Sequence, residues 1–149
     1  MSDTNTENLI FSNLLNDENY LRTSLPFLKE EYFSENSSRI IFSQIKKYFD
    51  KFNVAPTVSA LNIELEALSL NQAEFDNCVN TLSNLNTDKQ EIEWLLQKTE
   101  KFCQDRAIYN AIMESIQVID GTSNKDRGSL PQILQDALGV SFDSNIGHD

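Results

Sequence analysis

Apolar residues recur along this chain at steps of three and four almost from one end to the other, the period of helices that each bury one stripe. The segment TENLIFSNLLNDENY places Ile10, Phe11, Leu14 and Leu15 on one face and is punctuated by Asn16 and Asp17. A second short helix is expected from Asp17, faltering before Pro26, because the residue ahead of a proline is pushed out of the α region. PFLKEEYF then supplies a compact apolar set, Phe27, Leu28, Tyr32 and Phe33, and SENSS is a polar break. The third helix, roughly Ser37 to Phe52, carries Ile41, Ile45, Tyr48 and Phe52 at steps of four, three and four. NVAP ends it, Thr57 caps the next, and Val58, Leu61, Leu65 and Leu68 resume the same spacing.

LNQAEF combines two devices that start a helix. Asn71 and Glu74 have capping-box spacing, and Leu70 and Phe75 sit where a hydrophobic staple would. Cys78 or Val79, Leu82 and Leu85 continue the buried face. Thr87 and Gln90 form a second box-like pair, opening the longest element. From Asp88 to about Ile119 there is no glycine or proline. Such a helix, at about 1.5 Å per residue, would reach about 48 Å, so part of it must project or pair with another helix. Ile92, Leu95, Thr99, Phe102, Arg106, Tyr109, Met113 and Ile116 alternate steps of three and four along it, the spacing of a helical hairpin or coiled-coil seam. An arginine in such a seam is costly unless paired, so Arg106 would set register or meet a carboxylate. A break at residues 104–107 would give two helices instead of one. Beyond it, DGTSNKDRGS is a linker by composition. SLPQILQDALG reads as a short amphipathic helix with Ser129 and Gln132 as its box, Ile133, Leu134 and Leu138 as its apolar face and Gly139 as its stop. All four glycines, Gly121, Gly128, Gly139 and Gly147, fall in this last part of the chain.

The pattern is thus all-α: a small multi-helix globular bundle, a long helical hairpin or projecting helix, and a tethered linker helix. Composition supports a packed core, with nine Phe, four Tyr and one Trp in 149 residues. Charge narrows the function. Twelve Lys and Arg against 23 Asp and Glu leave a formal charge of −11. Nucleic-acid binders neutralise phosphates with clustered cations, yet no Lys or Arg lies between Phe52 and Asp88. Lys46, Lys47 and Lys51 form the best basic group, on one helix rim. Strong direct nucleic-acid binding is therefore disfavoured and protein partners are expected. Cys78 and Cys103 lack framework spacing and read as buried free thiols of a reducing cytoplasm. The first residues lack a signal-peptide profile, and no apolar run approaches the ~20 residues that span a bilayer. With one histidine, His148, and neither CxxC nor HExxH, a dedicated zinc site is not expected. No GxxxxGK loop is present to cradle a nucleotide, and no GxSxG. Glu30/Glu31 and Glu91/Glu93 are ordinary surface carboxylates, so no catalytic residue, cofactor site or metal site is assigned to this chain.

Taken in order, several stretches resemble the N-terminal domain of DnaB-type hexameric replicative DNA helicases, those of the T-even bacteriophages above all. NLIFSNLLNDENYL is similar to the opening helix and turn of that domain, and EEYFSENSSRIIFSQIKKYF to its acidic-aromatic segment and third helix. VAPTVSALNIEL resembles the turn into the fourth. LLQKTEKFCQDRAIYNAI resembles the hairpin region, with Arg106, Ala107 and Asn110 in matching places. ILQDALGVSFDSNIGHD resembles the linker helix and the strip ahead of the motor domain. The likeness covers nearly the whole chain, and no one motif in it is diagnostic.

The resemblance implies a role in DNA replication. Complete members form hexameric rings that unwind DNA with nucleotide hydrolysis. Their N-terminal domains pair through helical hairpins into a collar that engages primase, and the linker helix docks on a neighbouring subunit's motor domain. On this reading residues 1–86 are a globular bundle and 87–120 a long helix or hairpin of the same domain. Residues 121–128 are a flexible linker, 129–139 the linker helix, and 140–149 a lead-in to a motor domain. ATP and Mg²⁺ would belong to that motor domain. Phe102, Arg106, Tyr109 and Met113 are expected to make hairpin-to-hairpin contact, and Ile133, Leu134 and Leu138 to dock on the motor domain. The setting would be the host cytoplasm. The alternative is a free-standing acidic helical adaptor or DNA-mimic inhibitor.

Overall fold

Every element described in the computed structural model, which describes residues 4–142, is helical, and no strand occurs among those residues. The helices are α1 (Thr4–Asn16), α2 (Glu18–Ser24), α3 (Asn36–Phe52), α4 (Val58–Ala67), α5 (Gln72–Ser83), α6 (Ile92–Asp120) and α7 (Leu130–Leu138). They divide into two compact units, Met1–Leu96 and Gln97–Asp149.

The core of the first unit is built on rings. Phe11 of α1 stacks on Phe33 with centroids 5.1 Å apart, and Phe33 stacks on Phe42 of α3 at 5.2 Å. The acidic-aromatic segment therefore turns inward: Tyr32 and Phe33 are buried while Glu30 and Glu31 face out. Each such ring contributes roughly 1.5–3 kcal/mol by leaving water. Ile10, Leu14, Ile41, Ile45, Leu61, Leu65, Cys78 and Leu82 are buried too, as their spacing implies. Local chemistry sets the boundaries. Asp17 caps α2 by accepting the Tyr20 N–H at 3.1 Å, and Pro26 sits in a 3-10 turn, Leu25–Phe27. Thr57 accepts the Ala60 N–H at 3.0 Å. Asn71 and Glu74 form the full reciprocal capping box. Asn53 closes α3 in the left-handed region, φ 61, which asparagine tolerates better than most residues.

The long helix departs from the sequence reading at its start. It begins at Ile92, not near Thr87, and the side chain of Glu91 accepts the Trp94 N–H at 3.0 Å. Upstream, the Asp88 N–H is taken by the Asn86 side chain at 3.1 Å, a local bond that competes with a first helical turn. Residues 86–89 are exposed, so nothing is gained by winding them. No break occurs at residues 104–107: α6 is one helix of 29 residues, about 43 Å long at the usual rise.

In the second unit α6 ends on Gly121, φ +80, with Gly121 N–H bonded to Val118 O and Thr122 N–H to Gln117 O. This is the paired bonding of a Schellman stop, for which glycine is the natural residue. A 3-10 turn, Arg127–Ser129, then feeds α7. Ser129 makes no side-chain cap, and Gln132 bonds Asp136 instead, so the expected box is absent. The 3-10 turn instead satisfies the Ser129 N–H, accepted by Asp126 O at 3.0 Å, and the Leu130 N–H, accepted by Arg127 O. The chain after α7 runs beside α6, where Val140, Ser141 and Phe142 bond Gln104 and Glu100. Of the strip 140–149, residues 143–149, with Gly147 and His148, lie outside the described residues.

Candidate partner-binding site

One face of α6 is tied to the chain's own C-terminal segment. The Gln104 amide donates to Val140 O at 3.2 Å, and the Phe142 N–H donates to the Glu100 carboxylate at 2.9 Å. The Ser141 hydroxyl donates to the same carboxylate oxygen at 3.3 Å. Lys125 pairs with Glu114 at 2.6 Å near the other end of the segment. Glu100, Gln104, Ala111, Glu114 and Val118 recur at helical spacing, so they share the inner face, where Ala111 and Val118 are buried.

The opposite face carries the seam. Tyr109 is 51% exposed, and Ile112, Met113, Ile116 and Ile119 are exposed beside it. Five large apolar side chains on three turns form an unusual surface for a solvated helix. Arg106 lies at its upstream edge, half-buried, with its guanidinium 4.6 Å from the centre of the Tyr109 ring. A cation over an exposed ring contributes about 0.5–1 kcal/mol, and here it holds the ring against the helix. Phe102 is different. At 2% exposure it belongs to the interior. The heptad line therefore crosses from core to surface between Phe102 and Tyr109, and only its downstream half is open.

On α7, Leu134 is exposed and Leu138 is 73% exposed, whereas Ile133 is half-buried and Ala137 is buried. The apolar face read from the sequence is thus split. Ala137 is the residue that turns inward, and Leu134 and Leu138 are left outside. Sequence reasoning missed Ile112 and Ile119, which widen the α6 stripe. Both were legible from the three-residue steps Tyr109–Ile112 and Ile116–Ile119, had the stripe not been drawn as a single line. Glu100 and Gln104 carried no such signal, because their partners lie 36 to 42 positions away.

Cys78 and Cys103 are buried and form no disulfide. Burial, reinforced by Glu74, pushes the Cys78 thiol up to about 11, and burial with Glu100 pushes Cys103 up to about 12. Thiols so disposed are poor nucleophiles. Among the described residues no cluster of three or more His, Cys, Asp or Glu could hold a metal ion. No helix among them is long and apolar enough to cross a membrane.

No protein-family model matches the chain. Over 150 residues it is 32% identical to a DnaB-like replicative helicase of Enterobacteria phage T4, an alignment that covers 95% of this chain. The chain is thus similar in sequence to a phage DnaB-like replicative helicase. It spans 32% of that relative's length. The likeness seen in the ordered segments from NLIFSNLL to the α7 region is therefore one of shared sequence over nearly the whole chain.

Proposed function

We propose that this chain is the N-terminal collar domain of a phage replicative DNA helicase, serving ring assembly and primase contact during DNA replication. The observation that carries this reading is the exposed stripe Tyr109, Ile112, Met113, Ile116 and Ile119 on the part of α6 that lies in the second unit, opposite the face bonded to Val140, Ser141 and Phe142. A surface of this kind is stabilised by pairing with a like surface, each large side chain contributing roughly 1.5–3 kcal/mol when buried. Leu134 and Leu138 on α7 serve as the second contact, toward the motor domain of a neighbouring subunit. Unwinding, ATP and Mg²⁺ belong in this reading to the part of the helicase that the chain does not span. The residues here do not fit a nucleotide site: no GxxxxGK loop exists in the sequence, and no nucleotide step is derived for it. The working place would be the host cytoplasm.

The test is the mass of the chain in solution by light scattering across a concentration series. Tyr109→Glu with Met113→Glu should weaken self-association by at least ~10-fold, since two apolar contacts become two desolvated charges. A wild-type chain that stays monomeric at all concentrations, or association untouched by the double variant, overturns the pairing role. The adaptor reading would instead be favoured by a monomer that competes with DNA for DNA-binding proteins. Capture of primase by the wild-type chain tests the second part of the role.

A further inference from the structure

From residue 121 to residue 142 only Ala137 and Phe142 are buried. Leu130, Ile133 and Val140 are half-buried, and Leu134 and Leu138 lie outside. Little apolar contact therefore fixes α7 itself. It has nine residues, and its N-cap, Ser129, makes no side-chain bond. A helix this short is marginal on its own in water, and segments with few buried contacts are the first to open.

The attachment lies just beyond the end of α7. Phe142 is the one large side chain of the segment that is buried. Its N–H and the Ser141 hydroxyl donate to a single oxygen of Glu100, at 2.9 and 3.3 Å, and the Gln104 amide donates to Val140 O at 3.2 Å. Three successive residues are thus held by one turn of α6, all within the second unit. Upstream, the segment is tied by the Lys125–Glu114 pair, whose partly exposed charges hold it weakly.

The sequence of α7 gives this arrangement a consequence. Leu130, Ile133, Leu134, Ala137 and Leu138 follow the spacing of one continuous apolar face. With the strip fastened to Glu100, that face is divided: Leu130, Ile133 and Ala137 are wholly or partly covered, and Leu134 and Leu138 are open.

We propose that residues 130–142 open and close on α6 as one unit, with Glu100 as its latch. Closed, the unit presents two leucines; open, it presents the whole apolar face of α7. A contact that uses the whole face binds only the open form, so the latch lowers its apparent affinity by the fraction that is closed. That consequence rests on the docking role proposed above for α7, whereas the switch rests on this chain alone.

The test is amide hydrogen exchange of the full chain, followed residue by residue by NMR. Glu100→Ala should speed exchange at Leu134 to Leu138 and at Phe142 by one common factor, about tenfold or more, as the acceptor of two bonds is lost. Phe142→Ala should speed the same α7 amides with Glu100 in place. Coupling of this kind is reciprocal. Gln135→Pro, which breaks α7 and touches neither Glu100 nor Gln104, should therefore release the Phe142 amide by a similar factor. Amides of the first unit, and those of α6 from Tyr109 to Ile116, should keep their rates in all three variants. The proposal is overturned if Glu100→Ala speeds Phe142 alone, because the strip is then a local tie. It is overturned too if Gln135→Pro leaves Phe142 protected, if the α6 amides speed up together with those of α7, or if no variant changes any rate. Docking on a motor domain is not read in this experiment, so its failure would leave the switch standing.

Discussion

A carboxylate with 2% exposure needs its charge answered, and Glu7 is answered three times. It accepts from the Ser34 N–H at 2.9 Å, the Ser34 hydroxyl at 3.1 Å and the Ser38 hydroxyl at 3.0 Å. One side chain of α1 thereby holds the serines that lead into α3. Glu7→Ala would strand those donors, at about 1–3 kcal/mol for a lost charged acceptor, so a fall of roughly 3 kcal/mol in urea unfolding is expected. A fall below ~1 kcal/mol would show that water substitutes for the carboxylate. The cysteines set a pH dependence. Unfolded thiols titrate near 9.0, the folded ones near about 11 and about 12. Between those values the folded chain holds more protons than the unfolded chain, so stability falls as pH rises above ~9. The urea midpoint should drop between about pH 8 and about pH 10.5, and drop less in Cys78→Ala/Cys103→Ala, where the thiol protons are gone. Equal slopes in the two proteins would rule the thiols out as the cause.

At the scale of elements, the decisive contacts are those that hold the strip after α7 against α6. Glu100 takes the Phe142 N–H and the Ser141 hydroxyl with one oxygen, and Gln104 fixes Val140 one turn along. The helix itself does not need these bonds; the returning strip does. Glu100→Ala should therefore raise the hydrogen-exchange rate of the Phe142 amide by about tenfold or more, matching a lost bond to a carboxylate of roughly 1.5–3 kcal/mol. Amides in the middle of α6 should keep their rates. Acceleration spread along α6 would mean the strip stabilises the helix as well. The same contacts explain why the apolar face of α7 is divided, with Ala137 inward and Leu134 and Leu138 outward.

For the whole molecule, charge and apolar surface act against each other. A net charge of −11 would repel a second copy, while pairing through the stripe from Tyr109 to Ile119, as proposed above, would draw one in. Salt screens the first within about 10 Å at 0.1 M and leaves the second intact. Self-association through α6 should hence tighten as salt rises from low to moderate concentration, in the same light-scattering series that tests the double variant. Loosening with salt would place ion pairs, not the stripe, at the centre of the contact.

The sequence by itself determined the all-α class, most helix boundaries and the presence of an apolar seam on α6. These depend on neighbours three or four residues apart: Asp17, Thr57 and the Asn71–Glu74 box each bond within their own first turn, and Phe11, Ile41 and Leu61 follow from period alone. Shared sequence with a replicative helicase was legible too, because it lies in the order of segments. Tertiary structure decided the rest. Thr87 and Gln90 have the right spacing for a box, yet Asn86 bonds Asp88 first and α6 starts at Ile92. Phe102 and Tyr109 are equivalent in the heptad and opposite in fate. Phe102 lies in the interior and Tyr109 at the surface, since period assigns a side chain to a face and cannot say where along the face the covering ends. Lys47 and Lys51 were legible as a rim of α3, but that α3 and α4 leave a cavity of about 150 Å³ between them, with Glu64 of α4 in its lining, was not. Periodicity reports on one helix at a time, whereas burial and cavities arise between helices that only folding brings together.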